Sequence, residues 1–222
     1  MRGFDYSSSG FYFVTICTHK RQCILGYEDS GRVVLSKPGT IVRCHWENLS
    51  QRFAGVRSDS FVVMPNHVHG IIVLTGDTEP VSKGAAREAY GNDAGTASII
   101  EQRCRGAIHC ARIQDRTNAP VTLGQVVRAL KAASGRTIRA EGIAGRVWQR
   151  NYYEHVIRTE RALEAIRQYI EYNPLLWALD HENPQSVLAT EEYIKRRLPR
   201  SVVQNEEKLN RLANLFSTLG NV

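Results

Sequence analysis

Two histidines flank a single valine in VVMPNHVHGIIVL, residues 62–74, a stretch otherwise rich in apolar and β-branched residues. Side chains alternate along a strand, so His67 and His69 share one face while Val68 points the other way. Two neutral imidazoles side by side can hold one divalent ion and leave coordination positions open. The same spacing also suits two polar residues on a solvent-facing strand. A metal site therefore needs a further ligand and a group for the ion to activate.

Both occur about a hundred residues later, in TERALEAIRQYIEYNP, residues 159–174. Leu163, Ile166 and Ile170 recur at helical spacing as an apolar stripe, with Tyr169 beside it and Asn173 four residues further on the same face. One interpretation makes Tyr169 a rim aromatic and Asn173 a helix cap. The other makes Tyr169 a nucleophile and Asn173 an oxygen ligand to the ion of His67 and His69. A phenol with an ordinary pKa near 10 needs a nearby cation and good alignment to attack a phosphodiester. A divalent ion polarising a phosphate oxygen meets that need.

The elements that must position these residues follow from periodicity. GFYFVTICTHK predicts a first strand, and CILGYEDSGRVVLS two short strands around a turn at Glu28–Gly31. After Pro38-Gly39, residues Ile41, Val42, Trp46 and Leu49 recur as one helical face. SFVVMPNHVHGIIVL predicts two strands joined at Met64-Pro65-Asn66, which leaves the histidines at the start of the second. Residues 76–120 lose periodicity and are expected to be an insertion. Thr122 and Gln125 form a capping-box pattern ahead of a helix whose inner face is Leu123, Val126, Val127, Leu130 and Ile138. Arg128, Lys131, Arg136 and Arg139 fall on its other side as a basic ridge. VWQRNYYEHVIR is strand-like, Thr159 begins the tyrosine helix, and Pro174 ends it. Two weaker helices follow in EEYIKRRL and EEKLNRLANLFSTL. Prominent hairpins without βαβ alternation favour an α+β fold, an antiparallel sheet covered by helices. The expected organisation is one domain over residues 1–175, interrupted at about 76–120, and a helical tail over 176–222.

Composition bounds the partners. The chain has 222 residues, 42% of them hydrophobic, and contains no apolar run of about 18 residues that would span a membrane. Its start lacks the apolar core of a signal peptide. Five cysteines, none spaced as CxxC, suit reduced thiols in a cytoplasmic protein. The net charge of +7 is matched by residues 101–161 alone, with twelve Lys/Arg against five Asp/Glu. Such a regional excess points most often to nucleic acid, with a solvated face kept for solubility as the plainer alternative.

MPNHVHGIIVL, VWQRNYYEHVIR and IRQYIEYNP together resemble the single-tyrosine HUH transposases, and more closely the REP-associated tyrosine transposases, of the IS200-like superfamily. FDYSSSGFYFVTICTHKR and TLGQVVRALKAASGR resemble that group's first strand and central helix. The resemblance covers roughly residues 1–74 and 121–175. It implies a ferredoxin-like antiparallel sheet with helices on one face, the HUH nuclease fold, and a central histidine strand faced by the tyrosine helix. Carried over by position, His67 and His69 are metal ligands, Tyr169 is the nucleophile, and Asn173 completes the site for Mg²⁺ or Mn²⁺. Imidazole ligands tolerate Mn²⁺ better than they select Mg²⁺.

The substrate so implied is single-stranded DNA beside a REP-like palindromic hairpin, in a nucleoid-associated protein that is monomeric or a homodimer. Arg128, Lys131, Arg136, Arg139, Arg146 and Arg150 are candidate phosphate contacts. Tyr152, Tyr153 and Trp148 are candidate stacking platforms, with Trp148 equally suited to the core. Arg2, Asp5 and Tyr6 are candidate readers of a short adjacent sequence. Two other functions fit the same residues: a non-cleaving DNA-binding regulator, and a phosphohydrolase that activates water at the histidine pair.

Overall fold

The strand expected at GFYFVTIC forms as β1, Gly10–Cys17, with Tyr12, Val14 and Ile16 buried on one face and Phe13 and Thr15 on the other. Burial of both faces requires neighbours on both edges, and β1 has them. The computed structural model describes residues 6–76, 120–186 and 191–218. The bulk of the expected insertion, residues 77–119, lies outside the described residues, as do Arg2 and Asp5.

A short hairpin, β2 (Gly26–Asp29) and β3 (Arg32–Leu35), follows β1 as a separate two-stranded sheet. Helix α1, Lys37–Glu47, begins earlier than the Pro38-Gly39 punctuation suggests. Ser36 caps it by accepting from the Gly39 amide, and Pro38 sits in the first turn, where a missing N–H costs nothing. The short α2, Leu49–Arg52, leads into β4, Val56–Val63, which turns through Met64–Asn66 into β5, His67–Leu74. Helix α3, Leu123–Ala140, carries the expected Thr122–Gln125 capping box. Strand β6, Tyr153–Ile157, precedes α4, Glu160–Tyr172, whose Thr159 cap accepts from the Ala162 amide. Three helices complete the described chain: α5 (Glu191–Arg197), α6 (Arg200–Val203) and α7 (Glu206–Thr218).

The main sheet has the order β4-β5-β1-β6, antiparallel throughout. With α1 joining β1 to β4 and α3 lying between β5 and β6 in sequence, this is the ferredoxin-like arrangement. Those two helices pack on one face, as expected: Leu123, Val126, Val127, Leu130 and Ile138 of α3 meet Val14, Val68 and Ile72 in one buried cluster. Helix α4, the tyrosine helix expected to face the histidine strand, covers the opposite face. Leu163, Ile166 and Ile170 of α4 join Phe13, Val62 and Ile71 there, together with Leu176, Leu198, Val202, Leu209 and Leu212 of the chain's last part. Both sheet faces are apolar apart from the histidine site, so water can be excluded from neither without a helix layer.

Two contacts set this geometry. Trp46 of α1 stacks on Phe61 and donates to Ser58 Oγ at 2.7 Å. Its indole lies so close to Gly70 that a Cβ there would overlap the ring. On the other face, the Arg167 guanidinium takes both carboxylate oxygens of Asp59 at 2.9 and 2.7 Å, beside a register irregularity in β4. That fork fixes the rotation of α4 about its own axis.

Candidate metal centre

Antiparallel pairing puts His69 opposite Thr15 and His67 opposite Cys17, on the face that α4 covers. The His69 ring stacks on Phe13, with centroids 5.4 Å apart, and the two imidazole centroids are separated by 4.2 Å. Tyr169 lies above them, its hydroxyl 3.2 Å from His69 Nε2. The helix periodicity that placed Tyr169 beside the apolar stripe therefore delivers it to the histidine pair across about a hundred residues of sequence.

The third candidate ligand, an acid, comes from beyond the helix. Asp180 ends a 3-10 turn, Trp177–Leu179, and its Oδ2 lies 3.7 Å from His67 Nε2 and 3.6 Å from His69 Nε2. These three ligand atoms all fall within 4.8 Å of one another. Donors held by metal bonds of about 2.1 Å stand roughly 3.4 Å apart in tetrahedral and about 3.0 Å apart in octahedral geometry, so the two Asp180–imidazole spacings must contract by a few tenths of an ångström to share one dication. Asn173, expected as an oxygen ligand, caps α4 and donates from Nδ2 to Asp180 Oδ2 at 2.9 Å. It thus orients the carboxylate while its own Oδ1 stays free of hydrogen bonds.

Hydrogen bonds define how each ring is presented. Asn66 Nδ2 donates to the carbonyls of Arg21 and Glu182, at 3.1 and 2.6 Å, so its Oδ1 must be the atom facing His67 Nδ1 at 2.8 Å. His67 then carries its proton on Nδ1 and offers Nε2 as a lone pair. Thr15 Oγ1 stands 2.9 Å from His69 Nδ1, an equivalent partner for the second ring. Such outer partners are the usual means of orienting metal-bound imidazoles.

The cluster is buried: His67 and Asn173 are 0% exposed, Asp180 2% and Tyr169 3%. Two of its acceptors, His67 Nε2 and Asn173 Oδ1, have no hydrogen-bond partner. Buried lone pairs left in that state are costly, and a cation satisfies them where a proton donor is absent. The residues present therefore fit a divalent ion. Burial, with the adjacent His69 ring, pushes the His67 imidazole down to about 3, so it is neutral and metal-competent at pH 7. Burial alone would raise Asp180, but the two imidazoles and the Asn173 amide outweigh it and hold the carboxyl below its ordinary value. Burial and the Asp180 and Glu182 carboxylates push the Tyr169 phenol well above 10, with the Asn173 side chain working the other way.

The other expected contacts divide by face. Arg128, Arg136 and Arg139 are exposed on α3, across the sheet from the histidines, and so do not line the metal centre. Helical periodicity identifies the outer face of a helix but not which side of the sheet that helix covers. Lys131 donates from Nζ to the carbonyls of Arg150 and Asn151 and sits over the Tyr152 ring, which makes it a brace for the following loop. Arg146 and Arg150 flank Val147–Gln149, which bonds to Cys17 and His19 at the sheet end that carries His67. Tyr153 packs edge-on to Phe13 on the histidine face, whereas half-buried Tyr152 joins the opposite cluster, its phenol raised to about 12 chiefly by burial. Trp148 belongs to the core, donating from Nε1 to Ser134 Oγ, so it offers no stacking platform. Tyr6 donates to Glu154. Sequence inspection missed Asp180 and Asn66. The signal for Asp180 was an acid closing the apolar run LLWAL directly after YIEYNP, and for Asn66 its adjacency to His67.

Among proteins compared by sequence, an uncharacterized protein of Haemophilus influenzae strain Rd is 35% identical over 184 residues, covering 81% of this chain and 88% of its own. No family model matches the chain. Among solved structures, a REP-associated tyrosine transposase bound to a REP hairpin superposes with a TM-score of 0.46 at 17% identity, over 79% of this chain and 72% of that one. A candidate transposase of Deinococcus radiodurans gives a TM-score of 0.38 at 17% identity, over 77% and 94%. No helix among the described residues is long and apolar enough to cross a membrane.

Proposed function

The chain belongs to one family with that uncharacterized Haemophilus influenzae protein, and from its own site we propose that it is a metal-dependent DNA nuclease and strand transferase of the REP-associated tyrosine transposase kind. The observation that carries this reading is the Tyr169 hydroxyl 3.2 Å from a ligand nitrogen of a buried His–His–Asp cluster. A phenol at that position gives the strand-transfer reading its nucleophile, whereas a hydrolase would use water instead.

In this reading Tyr169 Oη displaces the 3′ oxygen from a backbone phosphorus. One P–O bond breaks and another forms, leaving a 5′-phosphotyrosine and a free 3′-OH, with the phenolic proton ending on the 3′ oxygen in the net reaction. The bond energy is kept, so another 3′-OH can reseal the strand without a nucleotide cofactor. His67, His69 and Asp180, with Asn173 beside them, would hold Mg²⁺ or Mn²⁺. That ion supplies positive charge for the phosphate oxygens and the phenolate. Asn66 and Thr15 keep the imidazoles turned inward, and Asn173 keeps Asp180 in line. The substrate of this reading is single-stranded DNA next to a palindromic hairpin. Tyr153 on the histidine face, and Arg146 and Arg150 at the sheet end that carries His67, would hold the strand near the chemistry, and the α3 ridge serves the strand or stem that wraps the opposite face.

The test uses labelled single-stranded hairpin oligonucleotides, drawn from repeats near the protein's own gene, with Mg²⁺ or Mn²⁺. A denaturation-resistant protein–DNA adduct is expected in the wild type and absent in Tyr169→Phe and His67→Ala. Cleavage that survives in Tyr169→Phe without an adduct would replace this reading with the hydrolase. Tight binding with no cleavage in any metal would leave a regulator.

A further inference from the structure

If Tyr169 attacks DNA, the strand must reach a hydroxyl that is 3% exposed, in a cluster roofed by the segment after α4. The roof is held by identifiable bonds. The Trp177 ring lies 5.9 Å from His67, Asn183 Nδ2 donates to the Trp177 carbonyl, and the Glu182 carbonyl accepts from Asn66. Its outer end is closed by one ion pair. Arg21 Nε lies 2.7 Å from Glu182 Oε2 and Arg21 Nη2 donates to Oε1 at 3.3 Å.

That pair has the form of a substrate contact. Glu182 Oε2 receives this charge contact without a hydrogen bond, and the guanidinium donates there only the long bond to Oε1; the two non-bridging oxygens of a phosphodiester can instead take two of its N–H donors. Arg21 is near enough for its charge to be felt at His67, and its side chain is 41% exposed, so it faces the solvent from which a strand would arrive. The backbone holds it there: Lys20 and Arg21 both adopt left-handed φ values, 55° and 53°, unusual for consecutive residues that are not glycine. The same turn aims the Arg21 carbonyl at Asn66 Nδ2, coupling its position to the residue that orients His67. Exposed Lys20 extends the positive charge of this rim.

Resting on the nuclease reading above, we propose that Arg21 binds a backbone phosphate of the strand entering the metal centre, and that the Glu182 carboxylate holds this position in the free protein. A strand then competes with Glu182 for Arg21, and release of that ion pair loosens the roof over Tyr169.

The test is equilibrium binding of two fluorescent probes, a hairpin with a single-stranded arm and the same hairpin blunt, to the full chain carrying Tyr169→Phe so that nothing is cut. Arg21→Gln should weaken the armed probe about tenfold, the scale of one charge-assisted hydrogen-bonded contact, and leave the blunt probe unchanged. Glu182→Gln, nearly isosteric, should tighten the armed probe several-fold, and this gain should vanish when Arg21→Gln is also present. Equal effects on both probes, no effect of either change, or a Glu182→Gln gain that persists without Arg21 would overturn the proposal. The nuclease reading fails separately, by the absence of an adduct in the wild type. An adduct formed normally alongside unchanged binding in Arg21→Gln would sink only this inference.

Discussion

Replacing Asp180 by asparagine removes the negative charge from the three-atom cluster while keeping its shape. In the metal-free protein the Asp180 carboxylate accepts from Asn173 Nδ2 and from the Glu182 amide. An asparagine keeps the second bond through its oxygen, and rotation of the Asn173 amide lets the presently unpartnered Asn173 Oδ1 accept from the new NH₂. The hydrogen bonds can thus be kept, but the folded site favours the ionised Asp180 carboxyl, so the metal-free variant should be less stable than wild type at pH 7. Metal binding should differ sharply. At a Mn²⁺ concentration 100 times the wild-type Kd, mass action stabilises the folded chain by about 2.7 kcal/mol, a rise in Tm of about 5–11 °C for a protein of this size. Loss of the anionic ligand should cost at least the ~100-fold that removal of an outer partner can cost. The same Mn²⁺ then supplies only about 0.4 kcal/mol, or about 1–2 °C. Differential scanning calorimetry with and without Mn²⁺ measures both quantities. A full Mn²⁺ shift in Asp180→Asn would refute Asp180 as a ligand and return the site to His67, His69 and Asn173 alone.

Asn66→Ala frees the His67 ring to turn and should weaken Mn²⁺ binding about 10–100-fold by calorimetric titration; unchanged affinity would show that the orienting bond is dispensable. The His67 and His45 imidazoles are both held below their ordinary value, to about 3 and about 4, mainly by burial, and for His45 also by Arg52 and Arg136. The unfolded chain binds these protons first, so their contribution to stability is complete above about pH 6.5 and is lost as pH falls toward 4 and 3, each by about 2 kcal/mol at pH 5. Urea unfolding at pH 7.5 and 5 should show the drop, and His45→Gln should remove about half of it; a flat profile would mean that these rings are not buried neutral. Gly70→Ala forces a methyl into the Trp46 indole and should destabilise the chain by about 1–3 kcal/mol. An unchanged urea midpoint would place Trp46 elsewhere.

Periodicity made much of this architecture legible, because a strand or amphipathic helix announces its buried face in its own residues. The 2-residue alternation through Phe11–Ile16 and His67–His69, the capping box at Thr122–Gln125, and the stripe Leu163–Ile166–Ile170 each appear where the pattern puts them. The start of α1 was less legible, since Pro38 and Gly39 suit a loop and a first helical turn equally well until Ser36 is seen to cap it. Trp148 could have faced either way, and its bond to Ser134 settles it as core.

What the sequence determined by itself was therefore local: which residues share a face, where elements start and stop, and that two imidazoles, a phenol and an amide have the spacing to meet. Which faces meet is a property of the sheet order and of the side from which each helix packs, and neither is encoded in any single window of residues. Hence the basic ridge of α3 was predictable but its position across the sheet from the histidines was not. Asp180 is the sharper case. It lies in a 3-10 turn with no periodicity, and only the packing of Leu176 and Leu179 beneath the roof swings its carboxylate between His67 and His69.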